Sequence, residues 1–311
     1  MSNGNQGLES VDSILNRLEP TNGKKPQTNQ TAQVEECRCE TCSATFQAEV
    51  TTYHIGGRER VVRPWECPPC REKREAEAVA EREEWLKTAR AEQRERWRRQ
   101  TGIPEHLLNR STLDGFEPGY QDKALKNCRR FAEGLNLDDP GGYRSLILYS
   151  PVPGVGKTHL MVAIANYVID HWNGEPEVDR WGNPATRCPI RFEKGPGLVL
   201  RVRATYSIRD KDNHHEREED IYNELKGVKL LLLDDVGKEK PSDFTRQLYW
   251  SVIDERVTSG LPLVMTCRLS LDSLAELMGE DTVDRLYGMT RGRVETLTVR
   301  ATEDKRRWLE P

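Results

Sequence analysis

Apolar residues are spread unevenly along this chain. Up to about Tyr143 they stand singly among polar and charged positions, and from there on they gather into short unbroken runs, each followed by a segment of helical spacing. The runs predict strands at 145–149, 190–193, 228–234, 261–266 and 294–299. Unbroken apolar strands alternating with helices suit a parallel sheet buried on both faces. The expected fold class is therefore α/β, a five-stranded parallel sheet between helices.

The first half follows other patterns. Residues 1–35 are rich in Asn, Gln, Gly and Thr, and Leu8, Val11, Ile14, Leu15 and Leu18 fall at helical spacing. This reads as a flexible tail carrying one short amphipathic helix, packed on its own domain in preference to a partner. Residues 73–101 are dense in Glu, Arg and Ala and predict a charged connecting helix, ended by Gly102 and Pro104. Val79, Trp85, Leu86 and Trp97 make no sustained heptad, so a long coiled coil is disfavoured.

Charge narrows the function classes. Of 311 residues 32% are charged, yet the net charge is only −4, so any nucleic-acid contact needs a local basic patch. No run approaches the roughly 18 apolar residues of a membrane span, and no apolar signal core opens the chain. The expectation is a cytoplasmic protein without a membrane partner.

Eight cysteines in such a compartment do not suggest disulfides, and five of them fall between residues 37 and 70. Cys39-x-x-Cys42 and Cys67-x-x-Cys70 form two knuckles 24 residues apart, the spacing of a zinc ribbon at 36–72. Zinc there would be structural, organising a segment in which Phe46, Val50, Tyr53 and Ile55 supply the buried residues. Cys37 and His54 are competing ligands. Cys128, Cys188 and Cys267 stand alone and read as packing residues.

The most specific signal follows the first apolar strand. Pro151-Val152-Pro153-Gly154-Val155-Gly156-Lys157-Thr158 leads into an apolar helix starting near His159. Strand, glycine loop and helix occur in the order of a P-loop, whose backbone N–H groups cradle phosphates at the positive end of the helix dipole. Gly154, Val155, Gly156, Lys157, Thr158 and His159 are the expected nucleotide-binding residues. Lys157 faces the terminal phosphates and Thr158 ligates Mg²⁺. Pro151 replaces the usual first glycine at a position that shapes the turn. The run Leu230-Leu231-Leu232-Leu233 ends in Asp234 and Asp235, read as the Mg²⁺-side acid and the acid that orients the attacking water.

These motifs resemble the AAA+ ATPases of the DnaC, DnaI and IstB group, which load replicative helicases or assist transposases. The resemblance covers about 102–307 and rests on Gly102-Ile103-Pro104, the Gly-Lys-Thr-His-Leu opening the first helix, Asp234-Asp235-Val236-Gly237, Ser251 to Arg256, Val264-Met265-Thr266 and Asp284-Arg285-Leu286. It implies an AAA+ core at 102–308, with ATP and Mg²⁺ as cofactors. It also implies self-assembly through the ATP sites and Arg285 as a catalytic finger reaching a neighbouring subunit. Where the family shows a sensor Asn this chain has Arg268, which implies slow hydrolysis or a sensor role for Thr266. Only 45 residues follow Thr266, too few for a C-terminal lid.

Arg191, Arg201, Arg203, Tyr206, Arg209 and Lys211 form a basic run with one aromatic, a candidate contact for single-stranded DNA diluted by nearby acids. His214 and His215 are assigned no role. The combined reading is an ATPase that loads a replicative helicase hexamer onto single-stranded DNA, with the zinc module facing the helicase. An IstB-like transposition accessory and a non-hydrolysing nucleotide-binding adaptor remain the alternatives.

Overall fold

A computed structural model of the chain describes residues 29–55, 58–117, 121–177, 187–206, 217–291 and 294–297. The amphipathic stretch Leu8 to Leu18 lies outside them, as do Arg209, Lys211, His214 and His215. The described chain divides into two compact units between Glu84 and Trp85, inside one long helix.

In the first unit β1 (Asn29–Arg38), β2 (Thr45–Ile55) and β3 (Arg58–Val62) form an antiparallel meander. The strand β1 begins within the segment expected to be a flexible tail. Its sequence shows no apolar alternation before Val34, which is itself 70% exposed, so what holds it is main-chain pairing with β2, from Asn29 opposite His54 to Cys37 opposite Phe46. Of the residues expected in its interior Val50 is buried while Phe46 and Tyr53 are half-buried. Helix α1 (Pro68–Gln100) starts with prolines, which need no intrahelical donor in the first turn, and so includes Cys70 of the second knuckle.

The second unit holds the parallel sheet. Its order is β5 (Ile190–Lys194), β6 (Leu230–Val236), β7 (Leu263–Cys267), β4 (Leu146–Tyr149) and β8 (Val294–Thr296), every neighbouring pair parallel. All five predicted strands are present, with ends shifted by at most two residues where both expected ends are described. Alternation along the strands splits the core. Leu148, Leu232 and Val264 face α4 (Lys157–Asp170) with α2 (Glu105–Leu108) and α3 (Asp122–Gly134). Ile147, Leu231, Leu233, Leu263 and Met265 face the other layer: α5 (Gly195–Thr205), α6 (Glu218–Gly227), α7 (Asp243–Thr258), α8 (Leu271–Met278) and α9 (Glu280–Met289).

The last turns of α1 belong to this unit. Trp97 is buried with its ring 4.7 Å from that of Trp172, and Arg90 and Arg94 donate to the Gly174 and Trp172 carbonyls, each at 3.0 Å. Arg98 reaches Asn166 at 3.0 Å and also Asp170. The charged composition of this helix thus reads as solvated for most of its length and as a set of latches at its end.

Arg256 of α7 is fully buried and meets carbonyls in place of a carboxylate: Leu225 at 2.8 Å, Val228 at 2.9 Å, and Pro262. Burial pulls its pKa down to about 9. The side chain closes the end of α6 and the loop entering β7. Arg256→Met removes the donors to the Leu225 and Val228 carbonyls and leaves Pro262 only the Leu231 N–H, so the unfolding free energy should fall by about 3 kcal/mol or more in urea denaturation. An unchanged midpoint would mean that water replaces the guanidinium.

Candidate functional site

The loop between β4 and α4 lies at the carboxyl ends of the parallel strands, where open α/β sheets bind their ligands. Gly154 and Gly156 have φ of 77° and 96°, left-handed values open to glycine at no steric cost. Gly156 is also packed: a Cβ there would lie 2.7 Å from the Phe116 ring. The loop can therefore turn its N–H groups inward toward the start of α4.

Lys157 is buried and donates to two carbonyls of its own loop, Ser150 and Val152, both at 3.0 Å. Burial lowers its pKa and the charge of Arg268 adds to that, while Asp235 and Asp234 oppose it. An ammonium ion held by carbonyls alone is poised to exchange them for phosphate oxygens.

Asp234, at 2% exposure, receives two hydroxyl donors on one oxygen, Thr158 from α4 and Thr266 from β7, each at 2.7 Å. Burial raises its pKa and the two hydrogen bonds oppose that rise. Thr158 and Asp234 offer an adjacent hydroxyl and carboxylate, the hard oxygen donors that Mg²⁺ takes.

Asp235 departs from strand geometry with φ 56°, at an irregularity in the β6–β7 register. Its N–H donates to the Thr266 hydroxyl at 2.8 Å, and its carboxylate pairs with Lys238 at 2.6 Å. Thr266 therefore links both acids. Behind them Glu239 accepts from the Gly237 N–H at 2.7 Å and from the Tyr249 hydroxyl, fixing the chain after the acid pair.

Of the expected residues, the structure brings Lys157, Thr158, Asp234, Asp235 and Thr266 together. The His159 side chain packs against Phe116, 5.3 Å between ring centroids, and its Nε2 is buried without a hydrogen-bond partner among the described residues. Arg285 pairs with Asp254 at 2.8 Å and lies over the Trp250 ring at 4.8 Å, so both of these contacts are made on α7 and neither is with the Lys157 loop. Sequence reasoning missed Phe116, Lys238 and Glu239. Only Lys238 left a trace, its spacing of three from Asp235.

The basic run changes character. Arg191 and Arg201 are held by the nearly buried Glu193 and by Glu224, with Arg191–Glu193 at 2.9 Å and Arg201–Glu224 at 2.8 Å. Arg203 covers the Phe244 ring at 5.1 Å, and the Tyr206 hydroxyl donates to Glu218 at 2.7 Å. The first two arginines are thus structural ion-pair partners, because acids the sequence places 2 to 33 residues away fold onto them.

In the first unit the thiols of Cys39, Cys42, Cys67 and Cys70 lie within 4.8 Å of one another. The Cys42–Cys67 separation is 3.7 Å, close to the edge of roughly 3.8 Å that a tetrahedron with metal–sulfur bonds of about 2.3 Å has. Cys37 and His54 are not in the cluster. Four thiols so close do not all ionise on their own. Hydrogen bonding from the Cys67 backbone draws Cys39 down to about 6, while the Cys67 and Cys42 side chains push Cys70 up. A thiophilic cation is the group that such a donor set suits.

No family model matches the chain. It is 27% identical over 188 residues to the replicative helicase loader DnaC of Buchnera aphidicola subsp. Acyrthosiphon pisum, a match covering 60% of this chain and 66% of that protein. To the replicative helicase loader DnaC of Escherichia coli strain K12 it is 24% identical over 194 residues, covering 58% and 69%. The crystal structure of the DnaC helicase loader aligns with 63% of this chain and 100% of that one, at 24% identity and a TM-score of 0.48. The chain thus spans about two thirds of the length of the curated relatives it matches, and over some 60% of its own length it is similar in sequence to replicative helicase loaders named DnaC.

Proposed function

We propose that this chain is an ATP-dependent loader of a replicative DNA helicase onto single-stranded DNA. The observation that carries the helicase assignment is the similarity to DnaC proteins, and the cluster of Lys157, Thr158, Asp234 and Thr266 at the ends of the parallel strands supports the nucleotide.

In this reading the loop N–H groups from Gly154 to Lys157 bind the phosphates, and His159 contributes at most its backbone. Thr158 and Asp234 hold Mg²⁺, which supplies charge neutralisation when bound. Asp235 orients the attacking water after release from Lys238. Thr266 keeps the two acids in register. Arg285 leaves Asp254 to complete the site of a neighbouring subunit, so subunits assemble head to tail. The four-cysteine module holds structural Zn²⁺ and contacts the helicase hexamer. Because Arg191 and Arg201 are engaged internally, contact with single-stranded DNA falls to Arg203, Tyr206 and the residues after them.

The full chain should deposit its host's helicase on a single-stranded circle in an ATP-dependent manner, and Lys157→Ala should abolish this. Absence of any helicase contact under every nucleotide would refute the loader assignment.

For the finger, Arg285→Ala should lower turnover by about a thousandfold. Mixing Arg285→Ala with Lys157→Ala, each inert alone, should restore activity, because one supplies the intact site and the other the arginine. A mixture as inactive as its parts would rule out action between subunits.

Metal analysis of the purified protein should find one zinc per chain, and Cys67→Ser should lose it together with the far-ultraviolet signature of the ribbon. Zinc retained in that variant would point to another ligand set.

A further inference from the structure

Helices α7 and α9 pack together over one face of the sheet, where Leu248, Val252 and Ile253 of the first and Val283 and Leu286 of the second are buried in a common core layer. Trp250 belongs to neither core layer and is 36% exposed. It stands one turn from Asp254 on α7, so the two share a face, and Arg285 of α9 reaches across to both. An indole and a carboxylate on the outside of a helix pair thus meet one guanidinium.

The guanidinium is held at two places. Its central carbon lies over the Trp250 ring, 4.8 Å from the centroid, and Nη1 meets the Asp254 carboxylate at 2.8 Å. A planar cation with one face on a ring and one nitrogen on a carboxylate has both its plane and its direction fixed, whereas an arginine on a bare helix surface samples many rotamers. Nε and Nη2 have no hydrogen-bond or ion-pair partner among the described residues. Arg191 and Arg201, by contrast, are each engaged by two carboxylates, and Arg256 is enclosed by carbonyls. Arg285 is therefore oriented and still has donors to give. Of its two contacts the ion pair is the exchangeable one, since Arg285 and Asp254 are 41% and 37% exposed and water and salt screen them.

We propose that Trp250 is a positioning residue for Arg285: its indole is the platform on which the guanidinium is presented to a neighbouring subunit, while Asp254 holds the group until the neighbour's phosphate takes that place. The proposal rests on the reading of Arg285 as a finger and adds the residue that aims it. Phosphate replaces carboxylate as one anion for another, whereas the ring carries no charge to exchange and stays beneath the guanidinium. Trp250 acts in the subunit that donates the arginine, and its effect appears in the subunit that receives it.

The test is ATP turnover of the full chain, measured at concentrations where it no longer rises with protein and resolved into kcat and KM. Trp250→Leu keeps apolar bulk without an aromatic face and should lower kcat by about threefold or more with KM unchanged. Trp250→Phe keeps the face and should retain most of the wild-type kcat. Because the platform serves a neighbour, Trp250→Leu mixed with Lys157→Ala should regain turnover. The double variant Lys157→Ala, Trp250→Leu should in turn rescue Arg285→Ala more weakly than Lys157→Ala does. A smaller loss in Trp250→Leu, a change in KM alone, an equal loss in Trp250→Phe, or a deficit that Lys157→Ala does not rescue would overturn the assignment, the last by marking a fault in folding or in the variant's own site. If Arg285→Ala turns over as wild type, or Lys157→Ala fails to rescue it, the finger reading itself falls, and the platform with it.

Discussion

The Asp234 carboxylate is the point on which the functional part of this molecule turns. It is almost completely removed from water, and the groups nearest to it are two hydroxyls, without a paired cation. Burial alone would favour the protonated form; the hydrogen bonds from Thr158 and Thr266 counter that. Those same bonds join the first turn of α4, the end of β6 and the end of β7. The loop that carries Lys157 is thereby tied to the strand that carries the acids, and a ligand entering between Thr158 and Asp234 alters the contact holding three elements together.

The remaining buried charges follow the same economy of partners. Arg256 is satisfied by carbonyls at the ends of α6 and the approach to β7, which makes it a staple for chain segments that lack regular hydrogen bonding. Glu193 sits between Arg191 and Arg201, joining β5 to α5, while Glu224 brings α6 into the same cluster. Against this background the carbonyl-only hydrogen bonding of Lys157 stands out. Its ammonium makes no ion pair among the described residues, and Asp235 and Asp234 act on it only through their charge. That arrangement is a more local argument for an anion than the count of basic residues, which is nearly balanced by acids over the chain.

The motifs that were legible in the sequence depend on local order. A strand, a glycine loop and a helix in succession can fold in few ways, so the loop at Gly154 to Gly156 lies between β4 and α4 as expected, and the apolar run before Asp234 identified a strand buried on both faces. The cysteine knuckles belong to the same class, because a two-residue gap already brings each pair of thiols near each other. The beginning of β1 was not legible. Its side chains are polar and exposed, and its position rests on backbone pairing with a strand that carries the pattern for both.

What the sequence determined by itself was the order of elements, the α/β class and the candidate residues for phosphate, magnesium and a thiophilic metal, since periodicity and short-range spacing encode these directly. Only the tertiary structure decided which side chains remain available. The strand order, which places β7 between β4 and β6, brings Thr266 onto Asp234. Folding also turns Glu193 and Glu224 onto two arginines and lays Arg285 on Asp254. The physical reason is that a charge is defined functionally by its partner, and partners distant in sequence meet only when the sheet assembles.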